Sequence, residues 1–377
     1  MRTKKKVLIV AHMARFLLQF EKRNVELLQA LGFEVHYASN FKAEEMIIDA
    51  KQRILEMGVR VHQVDFVRSP FLLPQNIKAY HQLIQVMRQE EFYAVHCHTP
   101  MGGVLARLAA NRLGIAPVIY TAHGFHFFKQ GPLVNKVCFK PVEWFLSRYT
   151  DALVTMNEED FLAACRFPAR GKVYKTHGVG VDISRFSFKE NVSLKEKFGL
   201  PEDAMTFLSI GELIPRKNHL SVILALKNLP ENVYYLIAGS GRLERELKDE
   251  ARFLGVRDRV RFLGYRSDIA HILHGVDCFI FPSLQEGLPV ALMEALASGV
   301  PCLASKIRGN VDLMGKHSPW LFEPMNLPKI EYLMKRMIEM KEQGEKIVPH
   351  SIEDFDISRT QEEMLKIYRS VLLRDKS

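Results

Sequence analysis

Phe281-Pro282-Ser283-Leu284-Gln285-Glu286-Gly287-Leu288-Pro289-Val290-Ala291-Leu292-Met293-Glu294-Ala295 reads as the end of a strand, a loop and the start of a helix. The apolar run 278–281 is the strand, and Pro282 ends it because proline has no N–H to give to a ladder. A helix is expected to begin near Pro289, where a missing N–H matters least, and to stop at Gly299. This puts Glu286 just before a helix N-terminus and Glu294 about two turns inside. Between them lie the backbone N–H groups and the positive end of a helix dipole, which suit phosphate. Two carboxylates on either side of an anion site fit a molecule with hydroxyls at both ends and phosphate in the middle. A nucleotide-sugar has that shape.

Outward from this stretch, strand-like and helix-like segments alternate. Strands are expected at 6–11, 33–38, 59–64, 93–97, 118–121, 152–155 and 173–176. Helices are expected at 20–31, stopping at Gly32, and at 44–57, stopping at Gly58. The pattern breaks around Gly178-Val179-Gly180-Val181-Asp182, and 184–191 looks like a connector. A second series follows, with strands at 206–210, 234–238, 260–262, 278–281 and 301–304. Strands separated by helices imply parallel sheets. Two such series predict two doubly wound α/β domains, residues 1–180 and 181–357, facing each other across a cleft. A last amphipathic helix, beginning near Ser358 within 358–377, is expected to pack back on the first domain.

The bulk numbers fit this reading. A chain of 377 residues is long for one core. No apolar run has the length of a membrane span, and Val7 to Ala11 is too short for a signal-peptide core. Five scattered cysteines without a CxxC argue for reduced thiols and a cytoplasmic location. The net charge of +9 lies wholly in the first half: residues 1–180 carry 24 Lys and Arg against 15 Asp and Glu, whereas 181–377 carry 28 of each. A basic half attracts anionic partners, here a membrane surface or a phosphorylated lipid. No nucleic-acid motif accompanies the charge, so nucleic acid is not expected.

Other motifs are weighed against plainer readings. Gly211-Glu212-Leu213-Ile214-Pro215-Arg216-Lys217-Asn218-His219 follows a strand, where Arg216 and Lys217 can neutralise a leaving diphosphate; the plainer reading is a solvated basic loop. Thr121-Ala122-His123-Gly124-Phe125-His126 also follows a strand, and His123 is placed to enter the cleft, with His126 a weaker candidate on the same loop. In His96-Cys97-His98 two histidines share a strand face, yet no further ligands stand out, so strand-end packing is expected. Asp354-Phe355-Asp356 precedes a helix, where Asp is a common cap. No metal is expected. Neither Gly239-Ser240-Gly241 nor Ala11-His12-Met13-Ala14 completes a dinucleotide fingerprint, which disfavours NAD. The stretch from Phe125 to Tyr149 interleaves large apolar residues with Lys129, Lys136, Lys140 and Arg148; it reads equally as a membrane-grazing amphipathic surface and as helix core with ordinary lysines.

Together these motifs resemble the retaining GT-B glycosyltransferases of family 4, of the kind found in bacterial capsular and exopolysaccharide clusters. The likeness runs through Gly32-Phe33-Glu34-Val35-His36, Thr121-Ala122-His123-Gly124, Gly178 to Asp182, Arg216-Lys217-Asn218-His219 and the long glutamate string. It implies two Rossmann-like domains, an acceptor-binding first and a nucleotide-sugar-binding second. It implies that Glu286 holds sugar hydroxyls and Glu294 the ribose. Gly287 and Leu288 would meet the diphosphate beside Gly211, with Arg216 and Lys217 neutralising it, and Arg266 would border the base. His123 would line the reacting centre. His12 and Arg15 stand where many relatives have glycines, and with His126 they would meet the acceptor. Glu212 replaces an arginine common in relatives, and Arg216 is the expected substitute. No cofactor is implied. The expected reaction moves a sugar, from a UDP-sugar, to a polyprenyl-diphosphate-linked glycan at the inner membrane face. A GT-B-like epimerase or phosphorylase, and a catalytically silent partner of a lipid or another transferase, remain alternatives.

Overall fold

The computed structural model describes residues 4–42, 47–187, 194–345 and 350–373. Parts of the expected helix 44–57, of the connector 184–191 and of the C-terminal segment 358–377 fall outside these residues. The chain forms two compact units, one reaching to Val179 and resuming at Ser358, the other spanning Gly180–Ile357.

The first unit is built on seven strands: β1 (Lys6–Met13), β2 (Glu34–Asn40), β3 (Arg60–Gln63), β4 (Ala94–His98), β5 (Val118–Ala122), β6 (Ala152–Thr155) and β7 (Lys172–Lys175). They lie in the order β3-β2-β1-β4-β5-β6-β7, and each pairing is parallel. Side chains alternate across a strand, so β1 feeds two cores. Leu8 and Val10 join Leu83, Leu105 and Ala109 on one face. Val7 and Ile9 join Val25 and Leu28 on the other, where Met364, Ile367, Tyr368 and Leu372 of the helix Ile357–Leu372 also pack. A strand buried on both faces reads as a continuous apolar run, as β1 does.

The second unit has six strands: β8 (Met205–Ile210), β9 (Val233–Ala238), β10 (Val260–Gly264), β11 (Cys278–Phe281), β12 (Cys302–Ser305) and β13 (Leu321–Phe322). Their order is β10-β9-β8-β11-β12-β13, again all parallel. Two-residue β13 escapes sequence reading because so short a run has no periodicity. In both sheets the strand order reverses next to the first strand, between β1 and β4 and between β8 and β11. Loops diverge at such a point beyond the C-terminal strand ends and leave a crevice for ligands.

The long helix expected over 20–31 is two elements. A π-helix, Leu17–Glu21, leads into an α-helix, Lys22–Ala30. The wider π turn is a local irregularity often found at functional sites, and it places the Glu21 side chain in the interior.

Candidate functional site

In the second unit the expected residues gather at the β8/β11 reversal. β8 ends at Ile210 and feeds a loop through Gly211 into a short 3₁₀ turn, Pro215–Lys217. β11 ends at Phe281 and feeds the Glu286 loop, which opens the helix Val290–Ala297. Glu294 is the fifth residue of that helix, a little over one turn inside rather than two, because Pro289 is the N-cap and lies outside it. Gly299 follows in a left-handed conformation, φ 76°.

Glu286 is 9% exposed and takes two cations. Lys217 Nζ lies 2.7 Å from its Oε1 and Arg216 Nη1 lies 2.8 Å from its Oε2. The two loops are also stitched by backbone: Leu284 N–H donates to Arg216 O at 2.8 Å, and Arg216 Nη1 to Gln285 O at 2.7 Å. Asn218, left-handed at φ 54°, donates to Pro282 O at 3.1 Å. Burial would raise the Glu286 carboxyl, but the Lys217 and Arg216 charges together outweigh it and hold the group below the usual carboxylate range. Glu294 is different. Burial pushes its carboxyl up to about 7, and Arg185 offsets only part of this.

Sequence reasoning missed Arg308. It is buried on the loop after β12 and donates from Nε to Glu286 O at 3.0 Å. Its neighbour Gly309, at φ 71°, lets that loop press against Gly287 O and the Leu288 Cα, where a Cβ would collide. The signal available was an Arg-Gly pair just past a strand, beside the same reversal of strand order. Gly239 plays a comparable role against Gly211 O, so the Gly239-Ser240-Gly241 turn packs against the loop after β8. Arg266 lies on the loop after β10, where its guanidinium forks onto Asp268, which also pairs with Lys197 at 2.9 Å.

In the first unit, His12, His123 and His126 line one cavity of about 690 Å³ with a mainly apolar wall. Arg15 does not line it. The cavity opens at the β1/β4 reversal, where Thr99 accepts from the His12 backbone N–H at 3.2 Å and the helix Pro100–Leu113 begins. Both ring nitrogens of His12 are buried and lack a hydrogen-bond partner. Burial first, then Arg68, lowers its pKa to about 4, so the ring is neutral near pH 7. His123 Nε2 lies 3.2 Å from His98 Nδ1 and 3.5 Å from Oε1 of buried Glu21.

Glu21 supplies the acid that the sequence did not reveal beside His96 and His98; its signal was hidden in an ordinary helical pattern. The three offer ligand atoms within 4.8 Å of one another, as do His36, His62 and Glu90. Hydrogen bonds engage most of these atoms, although His98 Nε2 is buried without a partner. His96 spends its two ring nitrogens on Tyr368 OH at 2.9 Å and Thr121 Oγ1 at 2.8 Å. His36 and His62 share a 2.8 Å contact, and Glu90 takes Lys6 at 2.7 Å.

Residues 191–353 match the family described as glycosyl transferases group 1, and residues 6–157 match glycosyl transferase 4-like proteins. EpsD of Bacillus subtilis, assigned as a glycosyltransferase, is 36% identical over 319 residues, covering 82% of this chain and 81% of EpsD. The Escherichia coli UDP-Gal:alpha-D-GlcNAc-diphosphoundecaprenol alpha-1,3-galactosyltransferase is 32% identical over 268 residues, 68% of each chain. Among solved structures, HepE of Anabaena in complex with UDP and glucose superposes with a TM-score of 0.76 at 18% identity, over 97% of this chain and 100% of HepE. That likeness establishes the fold. Sequence and architecture agree: this chain is a GT-B glycosyltransferase and belongs to family 4.

Proposed function

We propose that the enzyme transfers a sugar, with retention, from a UDP-sugar to a saccharide carried on a polyprenyl diphosphate, in the synthesis of a capsular or exopolysaccharide. The observation that carries this is the Glu286 carboxylate held between Arg216 and Lys217 at the β8/β11 reversal, beside the start of a helix. A carboxylate suits sugar hydroxyls, and two cations with a helix N-terminus suit diphosphate. Support for the acceptor comes from the Escherichia coli relative, whose name gives its acceptor as a diphosphoundecaprenol-linked GlcNAc. The second unit is then the donor-binding domain and the first the acceptor-binding domain.

In the reaction, the bond from the sugar's anomeric carbon to the diphosphate oxygen breaks and a bond to the acceptor hydroxyl forms. The hydroxyl proton passes to the departing diphosphate. Arg216 and Lys217 stabilise the charge that develops there, which is the main catalytic contribution of such preorganised groups. Glu286 and Glu294 position sugar and ribose, Gly211, Gly287 and Leu288 border the diphosphate, and Arg266 borders the base. His12, Arg15 and His126 meet the acceptor, and His123 the reacting centre. No helix among the described residues is long and apolar enough to cross a membrane. The basic first half would bring the enzyme to the anionic inner face of the plasma membrane.

The test is a panel of nucleotide-sugars assayed for transfer to lipid-linked saccharides, with the product anomer read by proton coupling constants. Transfer from one UDP-sugar with the donor's anomeric configuration kept is expected. Turnover of donor without any acceptor, or an inverted product, contradicts the proposal.

A further inference from the structure

The wall of the 690 Å³ cavity of the first unit differs from that of a soluble-sugar site. Such sites usually present polar groups, whereas this one is walled by Met101, Val104, Leu105, Phe125, Phe139 and Val142. Its size is that of a full ligand cavity, roughly 300–1,000 Å³. The polar groups are confined to a few places. Arg68 and His12 both line it, close enough for the Arg68 charge to act on the His12 ring. Two segments that border the cavity also carry apolar side chains into solvent. Phe71 is 81% exposed and Leu73 64%; on the helix Leu133–Leu146, Leu133 is 73% exposed, Val134 62% and Val137 65%. Exposed apolar clusters of this kind mark contact surfaces, and Lys136 and Lys140 on that helix add the positive charge that an anionic membrane attracts.

Resting on the acceptor class proposed above, we infer that this cavity binds the first isoprene units of a polyprenyl diphosphate. Arg68 and a donated ring N–H of His12 meet the diphosphate, and Phe71, Leu73, Leu133, Val134 and Val137 dip into the bilayer from which the chain enters. Charge complementarity selects this occupant. An isoprenoid alcohol or an apolar peptide would use the wall and leave Arg68 unmatched, while a free nucleotide would use Arg68 and His12 and leave the wall wet.

Cys138 lines the cavity and is exposed, and Cys165 is exposed but lies outside it, so the protein carries its own reporter and control. The full chain in mild detergent is alkylated with a maleimide, and each cysteine is followed by peptide mass spectrometry. Farnesyl diphosphate is expected to slow alkylation of Cys138 at least tenfold and to leave Cys165 unchanged. Farnesol alone and inorganic diphosphate alone are each expected to slow it less than threefold. Val104→Trp fills the cavity and is expected to abolish the protection. The exposed pair Phe71→Ser with Leu73→Ser, which leaves the core intact, is expected to weaken it at least threefold. The inference is overturned if farnesyl diphosphate does not protect Cys138, if inorganic diphosphate protects it equally, or if Cys165 is protected to the same degree. Sugar transfer to a lipid-linked acceptor without Cys138 protection removes this site and leaves the glycosyl transfer standing. Protection in a protein that transfers no sugar does the reverse.

Discussion

Lys217 Nζ and Glu286 Oε1 are 2.7 Å apart although the residues are 69 positions apart in the chain. The pair joins the loops after β8 and β11, and Arg216 closes on the other carboxylate oxygen. The acid thus aims both cations at one place. The arrangement is partly dry, with the Lys217 side chain 13% exposed, so its electrostatics resist salt better than a surface pair.

Glu286→Gln is expected to separate sugar recognition from diphosphate recognition. The amide keeps the shape but releases Arg216 and Lys217 from a full negative charge. Affinity for UDP alone should stay level or rise, while affinity for the UDP-sugar should fall about tenfold or more, as loss of a charged hydrogen bond of roughly 1.5–3 kcal/mol predicts. Lys217→Met should weaken both ligands. Calorimetric titration of the two ligands against each protein checks this; equal losses of both in Glu286→Gln would take the acid off the sugar.

Glu294 gives a pH signature. Its carboxyl titrates near 7 in the fold and at 4.5 when unperturbed. If the carboxylate accepts from ribose hydroxyls, donor binding favours the charged form and strengthens as pH rises. Between pH 6 and 8 the ionised fraction of such a group grows about tenfold, and UDP affinity should follow, with a flat profile in Glu294→Gln. Stability runs the other way. The folded pKa lies above the unfolded one, so the group's contribution is fully present below about 4.5 and lost as pH rises through about 7. Glu294→Gln should therefore resist urea better than the parent at pH 8, with a smaller gain at pH 5.

Much of this was legible because it was local. Every strand expected from an apolar run is present, with ends shifted by at most two residues, as at Ala94–His98 against the expected 93–97. The residues gathered around Glu286 were visible because strand, turn and helix follow one another within a few positions. For Arg266, pattern alone could not show that Asp268, two residues on, would take its guanidinium. Glu21 was not visible. It stands 75 and 77 positions from His96 and His98, and a π turn has no signature in a sequence that also fits an α-helix. Arg308 was missed for a related reason: its partner is a main-chain carbonyl, which carries no side-chain identity to match.

Glu21→Gln tests the buried acid beside His123. Glu21 accepts from Asn24 Nδ2 at 2.6 Å and lies 3.3 Å from His98 Nδ1. The amide can keep the first contact but cannot hold a neighbouring imidazole by charge. With His123 less firmly placed, kcat is expected to fall about tenfold, the effect of a small misplacement near reacting atoms. The KM for the UDP-sugar should stay within twofold, because the residues proposed to bind the donor belong to the other unit. Glu21→Asp should recover part of kcat. A parallel rise in donor KM, or no change in kcat, would make Glu21 a packing residue only.

Arg107 is the stability test of the first unit. It is fully buried, donating to Glu143 Oε2 at 2.8 Å and to Gly103 O at 2.9 Å, with its guanidinium 3.9 Å from the Tyr120 ring centre. Tyr120 OH reaches the other Glu143 oxygen at 3.1 Å. Arg107→Leu leaves that acid with a phenol for company, and breaking a buried pair from one side costs about 3–5 kcal/mol. Replacing both, Arg107→Leu with Glu143→Leu, removes the stranded charge and should recover more than half of the loss. The measurement is favoured by the sequence: of its two tryptophans, Trp144 lies in the first unit and Trp320 in the second. In a Trp320→Phe background, urea unfolding followed by Trp144 fluorescence reports the first unit alone. A single replacement no worse than the double one would show that the charge pair holds nothing that apolar packing does not.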